Sequence, residues 1–197
     1  MKTLSGISLA GGNGGKRKRI ENNFYATPKE STLNLCEHEK IKGDILEPCV
    51  GQGHILEVLK EKCNYSTLTA VDLIDRGYQN TIIQDFLEWD TTKKFDWIVT
   101  NPPYKLAKEF VEKSLTLLKD NGHIAMFLKI QFLEGVARKK FFENYPPKTI
   151  YVFSKRQAPL RDGEEFDENG KKWSSTICFA WFIWQKDYKG DTVVKWI

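Results

Sequence analysis

The sequence lacks several features that would place it in specialised classes of protein. No apolar run reaches the roughly 18 residues that a membrane span needs, so no membrane association is expected. The N-terminus has no apolar segment followed by a small-residue cleavage site, which argues against secretion. The cysteines show no C-x-x-C pairing, so neither a metal site nor a disulfide framework is indicated. A reducing, cytoplasmic setting fits these absences best.

Acidic residues are absent from the first 20 positions, which carry 5 of the 30 basic residues. The remaining 25 basic residues face 26 acidic ones, so the rest of the chain is close to neutral. Because residues 1–22 are also rich in glycine, we expect a flexible basic leader. It is either a tail that increases solubility or a segment that binds nucleic-acid phosphates weakly, with an affinity that falls as the salt concentration rises. Residues 23–197 have the length and composition of a single globular domain.

Hydrophobic periodicity predicts strands that alternate with helices. The predicted strands lie at about 44–47, 65–75, 81–87, 95–100, 123–129, 148–154 and 176–184. Helices are predicted after Thr27, at about 54–62, from about 107 to a C-cap signal at 120–122, and at about 132–143. The alternation indicates an α/β fold: a mostly parallel seven-stranded sheet with helices on both faces. The last strand follows a long polar loop, 155–173, instead of a helix, and is therefore predicted to be an antiparallel strand at one edge.

The start of the first helix is marked by three residues. Thr27 is a good N-cap, Pro28 is favourable at the first helical position, and Glu30 completes a capping box.

Polar side chains fall at the carboxyl ends of four predicted strands: Glu47, Asp72, Asp85 and Asn101. Ligands of open α/β sheets bind beyond these ends. A Gly51-Gln52-Gly53 turn between strand and helix would let a ligand approach backbone N–H groups. Asp72 lies about 20 residues past these glycines, where nucleotide-binding folds place an acid on ribose hydroxyls.

Two further pairs of features suit a base. Asp85 could accept a hydrogen bond from an exocyclic amine while Phe86 contacts a ring. The strand at 95–100 ends in Asn101-Pro102-Pro103-Tyr104, in which the prolines remove two N–H donors. The result is a rigid corner of acceptors beside a phenol ring, suited to a planar group that carries an NH2. A plain tight turn is the alternative interpretation.

With these residues together, the chain resembles the S-adenosylmethionine-dependent amino-methyltransferases, particularly the adenine-N6 DNA methyltransferases, from Phe24 to about Trp184. Residues 47–53 are similar to their cofactor loop, Asn101-Pro102-Pro103-Tyr104 to their catalytic motif, and residues 24–28 to the segment that closes over the cofactor. The motif order resembles their gamma arrangement, and the short length is similar to small phage or prophage members.

The resemblance implies a Rossmann-like class I methyltransferase fold, S-adenosylmethionine as cofactor, and methylation of a flipped adenine in DNA. Asn101 and Pro102 would hold the amine, with Pro103 completing the motif and Tyr104 stacking on the base. The implied cofactor-binding residues are Tyr25, Thr27, Pro28, Glu47, Pro48, Gly51, Gly53, Asp72, Leu73, Asp85, Phe86 and Asn101. The larger members' separate target-recognition domain is not recognisable here. Sequence specificity would then come from the loop at 155–175, the leader or a partner, in a monomer or weak dimer in a bacterial or phage-infected cell.

Three alternatives stay open, and a fourth is disfavoured. The same chemistry could act on RNA, or on the carboxamide of a protein glutamine. The chain could also be a non-catalytic subunit that binds nucleic acid for a partner, although the glycines and the catalytic motif are both present. A nicotinamide-dependent oxidoreductase is disfavoured, because Leu56 stands where its fingerprint requires a third glycine.

Overall fold

The computed structural model of the protein describes residues 25–197, and the predicted leader at 1–22 lies outside the described residues. The α-helices are α1 (Lys29–His38), α2 (His54–Lys62), α3 (Ala107–Leu117) and α4 (Val136–Asn144). The strands are β1 (Tyr25–Ala26), β2 (Lys42–Glu47), β3 (Asn64–Asp72), β4 (Ile82–Ile83), β5 (Phe95–Thr100), β6 (Leu118–Lys129), β7 (Thr149–Val152), β8 (Leu160–Arg161), β9 (Phe179–Gln185) and β10 (Val193–Trp196). Short 3-10 helices follow β5 (Tyr104–Leu106) and β6 (Ile130–Leu133).

Eight of these strands form one sheet in the order β10-β7-β9-β6-β5-β2-β3-β4. Neighbouring strands are parallel, except that β9 runs antiparallel to both β6 and β7. The predicted α/β class and mostly parallel sheet are therefore confirmed. The described sheet has one strand more than predicted, because β10 pairs with β7 on the outside.

Helices cover both faces of the sheet, as predicted. Side chains alternate between the faces along a strand. In β5, Trp97 and Val99 pack in the cluster that contains α1 and α2, whereas Ile98 packs in the cluster that contains α3 and α4. The core therefore consists of two apolar layers, one on each face of the sheet. The carboxyl ends of the parallel strands lie together at the edge of the sheet between these layers.

The most apolar stretch of the sequence forms strand β9, which is buried in the centre of the fold. Residues 179–184 are all buried, because β9 lies between β6 and β7 and its two faces pack in the two core layers. The predicted antiparallel direction of this strand is confirmed, whereas its predicted position at an edge of the sheet is wrong, because β7 and β10 continue the sheet beyond it. Its indoles still find acceptors: Trp181 donates to the carbonyl of Ser31 at 2.7 Å, and Trp184 donates to that of Tyr145 at 3.0 Å. Burial of an indole normally needs such a partner for its N–H.

The predicted capping box at the start of α1 is wrong. Pro28, with extended backbone (φ −56°, ψ 137°), precedes the first helical residue Lys29, and no side chain within residues 25–197 caps the helix. The first turn is closed by the N–H of Ser31, which donates to the carbonyl of Pro28 at 3.0 Å. The hydroxyl of Thr27 is buried and has no hydrogen-bond partner among the described residues. It is consequently free for another role.

The predicted C-cap at 120–122 is also wrong. Helix α3 ends at Leu117, and the next residue already begins β6. Asn121 has a left-handed backbone (φ 60°) within β6, where the pairing with β5 is irregular. An Asn-Gly pair suits a left-handed position in either setting, so local sequence did not separate a helix end from a strand irregularity.

The other predicted elements occur, with shifted ends. Helix α2 spans the predicted residues, whereas β4 is only two residues long and leaves Asp85 and Phe86 in the turn that follows. The described helices include none that is long and apolar enough to cross a membrane.

Candidate active site

A cavity of about 530 Å³ opens at the carboxyl ends of β2, β3, β5 and β6. That volume lies within the range of ordinary small-molecule sites. Side chains from the ends of these strands form its floor, while β1 and the segment 158–177 form the opposite wall.

The structure brings most of the predicted site residues to this cavity. The lining includes Tyr25, Thr27, Glu47, Pro48, Asp72, Leu73, Asp85, Phe86, Asn101, Pro102, Pro103 and Tyr104. Pro28, Gly51 and Gly53 do not line it. The functions of all these residues stay predictions.

Asp72 organises the turn after β2 from the end of β3. One carboxylate oxygen accepts the N–H of Gly51 at 2.8 Å, and the other accepts that of Ile74 at 3.0 Å. The two bonds hold the carboxylate in a single orientation at the cavity. Asp72 is therefore part of the scaffold of the turn as well as a candidate ligand-binding group.

The glycines support the cavity without lining it. Both have left-handed backbones, with φ 55° for Gly51 and 87° for Gly53. The N–H of Gly53 donates to the carbonyl of Val50 at 2.8 Å. The ring of Tyr78 occupies the space that a side chain at Gly53 would need. Their N–H groups are engaged by the protein, so these glycines allow a tight turn and close packing.

Glu47 is a buried carboxyl group, 2 % exposed, at the end of β2. It accepts the N–H of Leu56 in α2 at 3.1 Å. Burial raises the pKa of Glu47 well above its ordinary value, and the negative charge of Asp72 adds to this. Burial and the same acidic neighbours raise the pKa of Cys49, so its thiol stays protonated and unreactive.

The predicted base-binding pair lies in the turn after β4. Asp85 accepts the N–H of Leu87 at 2.9 Å, while the ring of Phe86 packs 5.0 Å from that of Phe110. Phe86 is only 2 % exposed, because its ring belongs mainly to the core. Leu73, which is 60 % exposed, also lines the cavity and offers an apolar surface.

The corner after β5 has two acceptors that have no donor among residues 25–197. The side-chain amide nitrogen of Asn101 donates to the carbonyl of Tyr25 at 2.8 Å, which orients the amide. No described residue donates to Oδ1 of Asn101 or to the carbonyl of Pro102, whereas Leu106 donates to the carbonyl of Pro103 at 2.8 Å. Asn101 and Pro102 both line the cavity. A group with two N–H hydrogens could satisfy both acceptors.

Tyr104 is packed more deeply than a freely exposed stacking platform. Its ring lies 5.9 Å from that of Phe179, and its hydroxyl makes no hydrogen bond of standard geometry within residues 25–197. Burial raises the pKa of Tyr104 above its usual range, although the neighbouring Asn101 amide acts in the opposite direction. The phenol therefore stays neutral.

The segment 158–177 forms part of the site, although none of its individual residues was predicted from the sequence to line it. It contributes seven residues to the lining: Ala158, Pro159, Arg161, Trp173, Ser174, Ser175 and Ile177. Strand β8 pairs with β1, which places Arg161 opposite Tyr25. The segment is anchored by a buried bond of 2.8 Å from the hydroxyl of Ser31 to Gln157. Because Tyr25 in turn orients Asn101, this segment supports the acceptor corner.

Two lysines on the floor were also missed. Lys129 ends β6, and its ammonium lies 4.7 Å from the ring centre of Tyr104. Lys105 follows Tyr104 and is exposed at the cavity. Within the described residues, no cluster of His, Cys, Asp and Glu could hold a metal ion.

No family model matches the chain. Over 149 residues, the chain is 29% identical to the type II methyltransferase M.CvrRI of Paramecium bursaria Chlorella virus XZ-6E. The match covers 61% of this chain and 39% of the viral enzyme, so the chain spans about two fifths of that relative's length.

Solved structures with the same architecture are more distant in sequence. A Listeria monocytogenes protein, assigned as a class I S-adenosylmethionine-dependent methyltransferase, superimposes with a TM-score of 0.63 at 15% identity. That match covers 90% of this chain and 67% of the other. A Pyrococcus horikoshii protein, assigned as an RNA methyltransferase, gives a TM-score of 0.62 at 13% identity and covers 87% and 91%. The protein therefore has the class I methyltransferase fold, and the predicted fold class is confirmed.

Proposed function

We propose that the protein is an S-adenosylmethionine-dependent N-methyltransferase that methylates the exocyclic N6 amine of adenine in DNA. The observation that carries this proposal is the acceptor corner of Asn101 and Pro102, which lines the same cavity as Asp72 and Asp85. A methyl donor and a planar amine can therefore be held side by side. The similarity to a viral type II methyltransferase favours DNA as the substrate.

The half of the cavity formed by β2, β3 and β4 suits the cofactor. Its carboxyl groups, Glu47, Asp72 and Asp85, provide acceptors for hydroxyl and amine groups, and Leu73 and Phe86 provide apolar surface. Thr27 lies at the β1 wall and is 2 % exposed, and its hydroxyl, which has no partner among residues 25–197, would be satisfied by a polar group of the ligand. These groups match a nucleoside that carries a charged amino-acid tail, and S-adenosylmethionine supplies a methyl group on a sulfonium when bound.

The other half suits the amine. The lone pair of an adenine amine is delocalised into the ring, which makes it a weak nucleophile. Acceptors on both hydrogens, Asn101 Oδ1 and the Pro102 carbonyl, favour a tetrahedral nitrogen and stabilise the positive charge that develops on it. Fixed dipoles of this kind act by electrostatic preorganisation, and the corner also orients the nitrogen for attack. The nitrogen would bond to the methyl carbon as the carbon–sulfur bond of the bound S-adenosylmethionine breaks. The methylated nitrogen would then release one proton to solvent, so no strong general base would be needed.

A base within a duplex does not reach this corner, so the substrate adenine would be flipped out of the stack at a cost of a few kcal/mol. Residues 23–197 would form the catalytic domain. The segment 158–177 lines the cavity and would contribute to sequence preference, together with the leader or a partner protein.

The test is to incubate the protein with labelled S-adenosylmethionine and, in parallel, DNA, RNA and a glutamine-containing protein. The nucleic acids are then digested to nucleosides, and the labelled product is identified. We expect the labelled product to be N6-methyl-2′-deoxyadenosine, released from DNA. Label only in RNA would change the substrate, label only in protein would replace the proposal with glutamine methylation, and a failure to bind S-adenosylmethionine would refute it.

A further inference from the structure

The ionisable groups of the cavity are distributed unevenly. Its acidic residues, Glu47, Asp72 and Asp85, lie at the ends of β2 and β3 and after β4, where His54 and Arg76 also line the cavity. The lining residues that follow β5 and end β6 include two lysines, Lys105 and Lys129, and no acid. One half of the lining thus combines acidic and basic groups, whereas the other half has lysines without an acid and is suited to an anion.

Lys129 is the less solvated of the two lysines. It is half-buried, and burial lowers the pKa of its ammonium. Within residues 25–197, no carboxylate lies in ion-pair range of Lys129, and its contact is with the face of Tyr104 at 4.7 Å. Other lysines at the sheet are paired: Lys119, for example, lies 2.7 Å from Asp44 and 2.8 Å from Asp96.

A partly desolvated, unpaired ammonium is unfavourable unless something compensates it. A contact with an aromatic ring compensates only in part. The positive charge would also disfavour both a sulfonium and a developing cation on the target amine in the same cavity. An anion supplied by the substrate would remove both penalties, and a phosphodiester is the anion that accompanies every nucleotide of a nucleic acid.

We propose that Lys129 binds a phosphate of the nucleic-acid substrate next to the target nucleotide, with the exposed Lys105 beside it. This inference rests on the proposed function. It adds that the half of the cavity with Lys105 and Lys129 receives a nucleic acid and binds one of its phosphates. The ammonium on the ring of Tyr104 then fixes the nucleotide relative to the corner of Asn101. A glutamine side chain in a protein has no such anion to offer.

The experiment measures binding of a fluorescent single-stranded oligodeoxynucleotide with one adenine, in the presence of S-adenosylhomocysteine and over a series of salt concentrations. The proteins are the wild type, Lys129→Met, Lys129→Arg and the control Lys42→Met. Lys42 is exposed at the amino end of β2, so its variant makes the same change of net charge at the opposite end of the sheet. A second oligonucleotide carries neutral methylphosphonates on both sides of the adenine.

For Lys129→Met we expect binding to weaken about tenfold and the slope of log affinity against log salt to fall by about 0.7, the value for one phosphate on a single strand. Lys129→Arg should keep the slope, and Lys42→Met should match the wild type. The methylphosphonate oligonucleotide should cost the wild type at least a similar factor and cost Lys129→Met clearly less, because only the contribution of Lys105 would remain. Such coupling between one side chain and one phosphate would not arise if Lys129 only packed against Tyr104.

Equal salt slopes for Lys129→Met and the wild type, or equal losses for both on the neutral oligonucleotide, would overturn the inference. So would a wild type that does not bind the oligonucleotide. Methyl transfer is measured on the same oligonucleotide to separate the two proposals. Transfer with no role for Lys129 leaves the proposed function standing, whereas Lys129-dependent binding without transfer leaves the phosphate site standing.

Discussion

Replacement of Asn101 by alanine separates a catalytic role of the acceptor corner from a structural one. The native side chain donates one hydrogen bond, to the carbonyl of Tyr25, and leaves Oδ1 for a ligand. Asn101→Ala removes both functions, but their energetic consequences differ in size. The lost donor affects the pairing of β1, whereas the lost acceptor affects the charge that develops on the target amine.

The magnitudes follow from the two kinds of bond. A neutral hydrogen bond contributes about 1 kcal/mol to stability. For a protein of this length, that corresponds to a fall in Tm of about 2–4 °C. The loss of one preorganised group that stabilises a transition-state charge costs about 10²–10³ in kcat. The effect on turnover should therefore greatly exceed the effect on stability.

The assay combines single-turnover methyl transfer to an oligonucleotide, calorimetric titration with S-adenosylmethionine, and thermal unfolding. For Asn101→Ala we expect a loss of turnover with cofactor affinity close to that of the wild type. Asn64→Ala, at the exposed amino end of β3, is the control and should behave as the wild type. Equal losses of turnover and cofactor affinity in Asn101→Ala would mean that the corner is structural, and the reasoning would be refuted.

Three further predictions concern stability and the segment over the site. In Glu47→Gln, measured without cofactor, Tm should exceed that of the wild type increasingly as pH rises above 4.5, because the raised pKa of the native carboxyl makes its ionisation unfavourable. Lys119→Met should lower Tm near neutral pH, and the difference should shrink as pH falls below 3.8, because Lys119 lowers the pKa of Asp44 and Asp96 and that stabilisation is lost on protonation. Gln157→Ala should speed proteolytic cleavage within 158–177, because it removes the buried bond that anchors the segment.

Each of these three predictions would be contradicted by a specific outcome. A difference between Glu47→Gln and the wild type that does not change with pH would show that the carboxyl ionises normally in the native state. A Tm deficit of Lys119→Met that persists at acid pH would assign the loss to packing. Unchanged cleavage of Gln157→Ala, with a similar cofactor affinity, would mean that the β1–β8 pair alone holds the segment.

Much of the fold could be predicted from local pattern. The helix at 54–62 and the strand before Asn101 show strong periodicity and clear ends, and both occur as predicted. The failures lie where one local signal serves two structures. Asn121-Gly122 reads equally as a helix cap or as an irregular strand position, and Thr27-Pro28 resembles a helix start although the Thr27 hydroxyl makes no cap.

The site was predictable only in part. The ends of parallel strands converge at one edge of a sheet, so Glu47, Asp72 and Asn101 could be grouped from their order alone. The contributions of Lys129 and Arg161 could not, because they depend on how far β6 extends and on the pairing of two-residue strands. A partial signal existed: a long loop before an antiparallel strand must cross the carboxyl edge of the sheet.

The sequence by itself determined the alternation of strands and helices and the acceptor corner after β5. These depend on side-chain periodicity and on the missing N–H groups of two prolines, which are properties of neighbouring residues. Only the tertiary structure decided which groups face one another across the cavity. The pairing of Tyr25 with Arg161 and the approach of Lys129 to Tyr104 join distant parts of the chain, and packing of the whole sheet sets those distances.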